Sequence, residues 1–142
     1  MGRTISEITR RAVAERAVFC CEYCRAQERY SPDDFVIDHI LPRRRQGSNL
    51  LVNLALACFT CNGHKQAATE ALDPKTQQHV PLFNPRRDIW SHHFTWESDF
   101  EQIIGTTPTG RATVVRMHLN RDGLVNLRQV LRKLGLHPLE VW

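Results

Sequence analysis

Val36-Ile37-Asp38-His39-Ile40-Leu41-Pro42, then Asn53, then Cys58-Phe59-Thr60-Cys61-Asn62 and Lys65, is the stretch on which the reading of this chain turns. Phe35-Val36-Ile37 is a short apolar run with β propensity, so a strand is expected to end at Asp38-His39, stopped by Pro42. Arg43-Arg44-Arg45-Gln46-Gly47-Ser48-Asn49 reads as an exposed loop. Leu54-Ala55-Leu56-Ala57-Cys58 supplies a returning strand, and Asn62 to about Leu72 a helix ended by Asp73-Pro74.

Working outward, Cys58 and Cys61 repeat the spacing of Cys21 and Cys24. Each C-x-x-C pair presents two thiolates from a tight turn, and together they supply four soft ligands for a closed tetrahedral zinc site. A redox dithiol or four unrelated buried thiols are the alternatives; zinc is preferred, and as a structural ion, since four thiolates leave no open coordination position. Cys20 is left over, and is expected to be a buried filler.

In its order Cys21-Glu22-Tyr23-Cys24, Asp38-His39, Asn53, Cys58-Phe59-Thr60-Cys61-Asn62, Lys65, the chain resembles the HNH endonuclease family in its zinc-stapled form. The resemblance implies an α+β fold built on a ββα-metal hairpin. It implies that Asp38 ligates a hard divalent ion, that His39 is the general base on the attacking water, and that Asn62 aims its amide oxygen at the same ion. Asn53 would be the middle signature residue, hydrogen-bonding the loop backbone so that His39 is held in place. The spacing from His39 to Asn53 to Asn62 is similar to that of HNH domains in CRISPR effector nucleases. Imidazole suits a base because its unperturbed pKa lies near 6.5.

Many members carry His where this chain has Asn62, so an oxygen replaces a nitrogen ligand and magnesium or manganese is the expected catalytic ion. His64 competes for the third position, but two residues along a helix it should point away. Asn62 also reads as a simple helix N-cap. Lys65, one turn beyond Asn62, and Arg43, Arg44 and Arg45 are expected to reach phosphate oxygens, contacts that read no sequence.

Upstream, Ser6 caps a helix running to about Val18, with Ile5, Ile8, Ala12, Val13, Ala17 and Cys20 as its apolar side. Arg10, Arg11 and Arg16 read as its solvated face. Downstream, Pro74 to Pro85 is a candidate hinge. Trp90, His92, Phe94 and Trp96 alternate with polar residues as in a half-buried strand, pairing with 100–106 through Glu97-Ser98-Asp99. Thr107 caps a helix opened by Pro108, with Ala112, Val115 and Leu119 on one face. A last helix aligns Leu124, Leu127, Leu131 and Leu134 and stops at Gly135. This C-terminal β-hairpin and two helices, about residues 82–142, resemble an extension of one bacterial subset of HNH proteins. They should fold back on the core, about residues 19–73, or dimerise. Arg86, Arg87 and Arg111 read equally as DNA contacts or as partners of local acids.

With 142 residues, 42% hydrophobic and 24% charged, the chain is expected to be one ordinary globular domain, neither fibrous nor disordered. A formal charge of +4, carried mostly by Arg, favours a polyanion partner, and double-stranded DNA is the expectation. No apolar run suits a bilayer, no secretory leader is evident, and five cysteines then point to a reducing, cytoplasmic setting. The expected activity is metal-dependent hydrolysis of DNA phosphodiester bonds. The alternative is a non-catalytic zinc-stapled nucleic-acid-binding module, or a subunit of a larger nuclease or packaging assembly.

Overall fold

The computed structural model describes residues 4–140 and is mixed α and β, with five helices and three small antiparallel sheets among them. Helix α1 spans Glu7–Arg16, and Ser6 caps it by accepting from the Thr9 amide at 3.1 Å. Its inner side is Ile5, Val13 and Ala17, which pack with Leu54 and Leu56. Ile8, expected on that side, is 84% exposed. Ala14, Phe35 and Ile37 flank this cluster, only partly buried, where the helix lies along an edge of the central hairpin. Arg16 crosses that edge to donate to the carbonyls of Leu51 and Leu54.

The central hairpin is β1 (Phe35–His39) against β2 (Leu54–Cys58), in antiparallel register from Phe35 opposite Cys58 to His39 opposite Leu54. All five β2 residues are buried, which explains the continuous apolar run. Helix α2 (Phe59–Lys65) starts three residues earlier than the sequence suggests, and ends where Gln66 takes φ 53° and ψ −131°. Cys58 has no capping side-chain bond; Asp33 serves instead, accepting from the Thr60 amide. Residues 70–72, expected to be helical, form β3 (Glu70–Leu72), paired with β4 (His79–Pro81).

That pairing also removes the expected hinge. Asp73 is buried and closes the β3–β4 turn through Lys75 N and Thr76 Oγ1, while Arg111 binds both its oxygens at 3.0 and 2.9 Å. Trp90, read as strand, instead opens the short helix α3 (Trp90–His93) before β5 (Phe94–Trp96). Helical spacing stacks Trp90 on Phe94 at 5.0 Å between ring centroids, whereas four residues of extended strand would hold them about 13 Å apart.

Strand β5 pairs with β6 (Ile103–Gly105), and α4 (Pro108–Arg116) follows with Thr107 as its cap, accepting from the Gly110 amide. Val115 is 55% exposed; the helix buries Gly110, Ala112 and Thr113, and Met117 and Leu119 continue that side just beyond its end. On α5 (Asp122–Lys133) the buried residues are Leu124, Arg128 and Leu131; Leu134 is exposed. Arg128 takes the place of an apolar residue because four oxygens converge on it, those of Cys24, Leu119, Glu101 and the Asn120 side chain. One apolar cluster joins Cys21, Tyr23 and Ala55 of the hairpin region to Phe83, Phe94, Ile103, Met117 and Leu124, so the C-terminal segment folds back on the hairpin. No helix of the described residues is long and apolar enough to cross a membrane.

Candidate functional site

The four paired cysteines come together: one sulfur from each of Cys21, Cys24, Cys58 and Cys61 lies within 4.8 Å of the others, all buried. Cys24 and Cys58 are 3.9 Å apart, close to the edge of a tetrahedron with zinc–sulfur bonds of about 2.3 Å. Burial raises the Cys21 thiol, whereas hydrogen bonds from Cys21, Cys24 and Cys61 lower Cys58, so the cluster favours thiolate there. Arg121 faces that charge, with Nη1 3.4 Å from Cys61 and Nη2 3.4 Å from Cys58. Burial alone would lower the Arg121 pKa; the charges on Cys61, Cys24 and Cys58 outweigh it and keep the guanidinium ionised. The donor set fits structural zinc. Cys20 is buried outside the cluster, and burial pushes its thiol up to about 11, as suits an inert filler.

Asp38 and His39, neighbours on β1, turn to opposite sides as strand geometry requires. Asp38 goes inward and is 3% exposed. Its Oδ2 accepts from the Tyr23 hydroxyl at 2.6 Å and its Oδ1 from Lys65 Nζ at 3.2 Å. Burial and the Asp38 charge raise the Tyr23 pKa well above the ordinary phenol, which keeps that donor protonated. Lys65 is itself only 2% exposed and also reaches the carbonyls of His39 and Ile40. This corrects the expectation for Lys65. Its ammonium neutralises a buried carboxylate and is not presented to a phosphate, because the last turn of α2 packs under β1.

His39 goes outward, half-buried, with Nε2 2.8 Å from Asn49 Oδ1 and 3.3 Å from Arg43 Nε. Arg43 Nε can only donate, so Nε2 accepts from it in the tautomer protonated on Nδ1 and donates to Asn49 Oδ1 in the tautomer protonated on Nε2, which leaves the lone pair on Nδ1. Asn53 lies beneath the loop. Its Oδ1 accepts from Leu41 N at 2.8 Å, and its Nδ2 donates to Leu41 O at 3.0 Å and Ser48 O at 2.8 Å. Three bonds from one amide fix the backbone on either side of the arginine run. Gly47 completes the loop, since a Cβ there would fall 1.7 Å from Leu41 O.

Asp38, His39, Arg43, Arg44 and Asn62 all line one open cleft. Asn62 sits inside α2 rather than at its cap, and its amide has no hydrogen-bond partner among the described residues. Arg45 is turned aside, its Nη1 on Thr69 Oγ1 at 2.7 Å. His64 is off the cleft, stacked on His118 at 4.3 Å between ring centroids. Arg86 pairs with Glu22 and Arg111 with Asp73, while Arg87 is exposed with no ionic partner among the described residues.

Three residues of this architecture have no clear sequence signal. Asn49 reads as an ordinary loop residue, Tyr23 as a spacer between cysteines and Arg121 as a helix flank; each meets its partner from a distant segment. No curated protein and no solved structure matches the chain. Residues 21–68 match the model of the HNH endonuclease family, and over that span the chain carries an HNH-type domain with the four-cysteine group of a zinc-stapled form.

Proposed function

We propose that this protein is a metal-dependent endonuclease that hydrolyses DNA phosphodiester bonds, with His39 as general base. The observation that carries this reading is the shared cleft of His39, Asp38 and Asn62, rimmed by Arg43 and Arg44. In the tautomer whose Nε2–H donates to Asn49 Oδ1, His39 Nδ1 accepts the proton of the attacking water. Arg43 and Arg44 receive the phosphodiester, since their guanidinium groups match phosphate oxygens. Asn62 offers an unpartnered amide oxygen, and Asp38 keeps one lone pair on each oxygen beyond its bonds to Tyr23 and Lys65, so both fit as hard-donor ligands. A magnesium or manganese ion held there supplies Lewis-acid stabilisation of the charge developing on phosphate.

A second reading is supported by the Lys65–Asp38 pair, which already neutralises the carboxylate. It makes the protein a zinc-stapled nucleic-acid-binding module, or a subunit that cuts only within a larger assembly. Supercoiled plasmid incubated with purified protein and magnesium or manganese, beside a His39→Ala control, separates the two. Nicking by the parent and loss in the variant supports the enzyme. Equal nicking by both removes that support, and salt-sensitive binding without any cut favours the second reading.

A further inference from the structure

Leu50, Leu51 and Val52 are consecutive, and they are 66%, 45% and 73% exposed. A run of three apolar side chains in water is normally avoided unless a partner covers it. Here it cannot relax inward, because its backbone is fixed. Leu50 N donates to Ser48 Oγ, Asn53 N to Leu50 O, and Arg16 holds the Leu51 carbonyl from the other side. Asn53 and Gly47 brace the loop at its base. The result is a rigid apolar tip.

Its position suggests what covers it. The residue before the tip, Asn49, is the one that touches His39 Nε2 at 2.8 Å, so the tip starts at the edge of the cleft. The other end of the same loop carries Arg43, Arg44 and Arg45, all exposed. A partner must therefore offer an anionic rim beside an apolar interior. Stacked bases between phosphate backbones have that arrangement, and apolar wedges between base steps are a known way to kink a duplex.

We propose that Leu50, Leu51 and Val52 enter a base step beside the scissile phosphate, partly unstack it and turn that phosphate toward His39. The proposal rests on the nuclease reading above. It makes easily unstacked steps, mismatches and nicked duplexes the preferred substrates, because they resist the wedge least.

The test uses the His39→Ala protein, which on the nuclease reading should bind without cutting, and duplexes carrying 2-aminopurine at successive positions. Binding is followed separately by fluorescence anisotropy. The expected result is a severalfold rise in 2-aminopurine emission at one or two adjacent positions on saturation. Adding Leu50→Ser and Val52→Ser should abolish the rise while leaving saturable, weaker binding and an unchanged melting temperature. Val52→Thr, nearly the same shape, should reduce it in part. Saturable binding with flat emission overturns the wedge and leaves the nuclease reading intact. No binding by anisotropy overturns both. A dimer of the parent protein that Leu50→Ser and Val52→Ser dissociate would give the tip to self-association, and likewise overturn the wedge.

Discussion

Lys65 Nζ lies 3.2 Å from Asp38 Oδ1, and the two side chains are 2% and 3% exposed. Few lysines are buried this completely, and this one is surrounded by oxygens: the carboxylate and the carbonyls of His39 and Ile40. The ammonium thus fixes the end of β1, the segment that carries both His39 and the start of the arginine loop. Removing it leaves a buried carboxylate with only Tyr23. Lys65→Ala should cost about 3–5 kcal/mol of unfolding free energy. Asp38→Asn combined with Lys65→Met should recover much of that loss. Urea denaturation measures both, and a loss under about 1 kcal/mol for the single variant would show that the pair is not desolvated.

The contact of Arg121 with Cys58 and Cys61 makes the C-terminal segment part of the metal centre's surroundings. Groups hydrogen-bonded to metal ligands commonly change metal affinity by about 10–100-fold when mutated. Arg121→Ala should therefore release zinc faster to a chromogenic chelator, whereas Cys61→Ser should prevent stoichiometric loading. Elemental analysis of the parent should give one zinc per chain. Unchanged release kinetics in Arg121→Ala would mean that the guanidinium merely fills space.

Asn49 holds the imidazole of His39 by one nitrogen, so its removal frees the ring without deleting the base. If the protein cuts DNA as proposed, Asn49→Ala should lower kcat by about 10–100-fold, with KM little changed, the usual effect of a misplaced catalytic group. Asn49→Asp, which keeps an acceptor, should restore part of the rate. Equal kcat in parent and Asn49→Ala would sink this orienting role.

Asp73 carries the clearest link to pH. The Arg111 guanidinium, helped by Lys75 N and Thr76 Oγ1, holds its carboxyl well below the ordinary value of 3.8. A carboxyl depressed in the folded state binds protons more readily when unfolded. Its stabilising effect is therefore fully present above about pH 4 and fades as pH falls toward the folded-state value. Asp73→Asn should be less stable near neutrality and should show a flatter stability profile below pH 4. Parallel acid melting curves for the two proteins would contradict this assignment.

Much of the hairpin was legible in the chain itself. Phe35 to His39 and Leu54 to Cys58 read as strands and are strands, and the two C-x-x-C pairs read as one ligand set and do cluster. Strand propensity and metal-ligand spacing both act over a few residues, so a short segment carries the whole signal. Phe94 to Trp96 is strand as the alternation suggests, whereas Trp90 to His93 forms a single helical turn. Only stacking of Trp90 on Phe94 and Trp96 favours the turn. Residues 66–72 were misread as helix because nothing local announces that Glu70–Leu72 will find His79–Pro81.

The sequence by itself determined which residue types are available and in what order: an acid and an imidazole at a strand end, amides at fixed intervals, four thiols in pairs. Tertiary packing decided which of them remain free to act. Lys65 is paired with an acid 27 positions away, Arg121 with a sulfur 63 positions away, and Asn49 and Arg43 with the same nitrogen of His39. A charge's availability depends on its neighbours and on its distance from water, and neither exists until distant segments have packed.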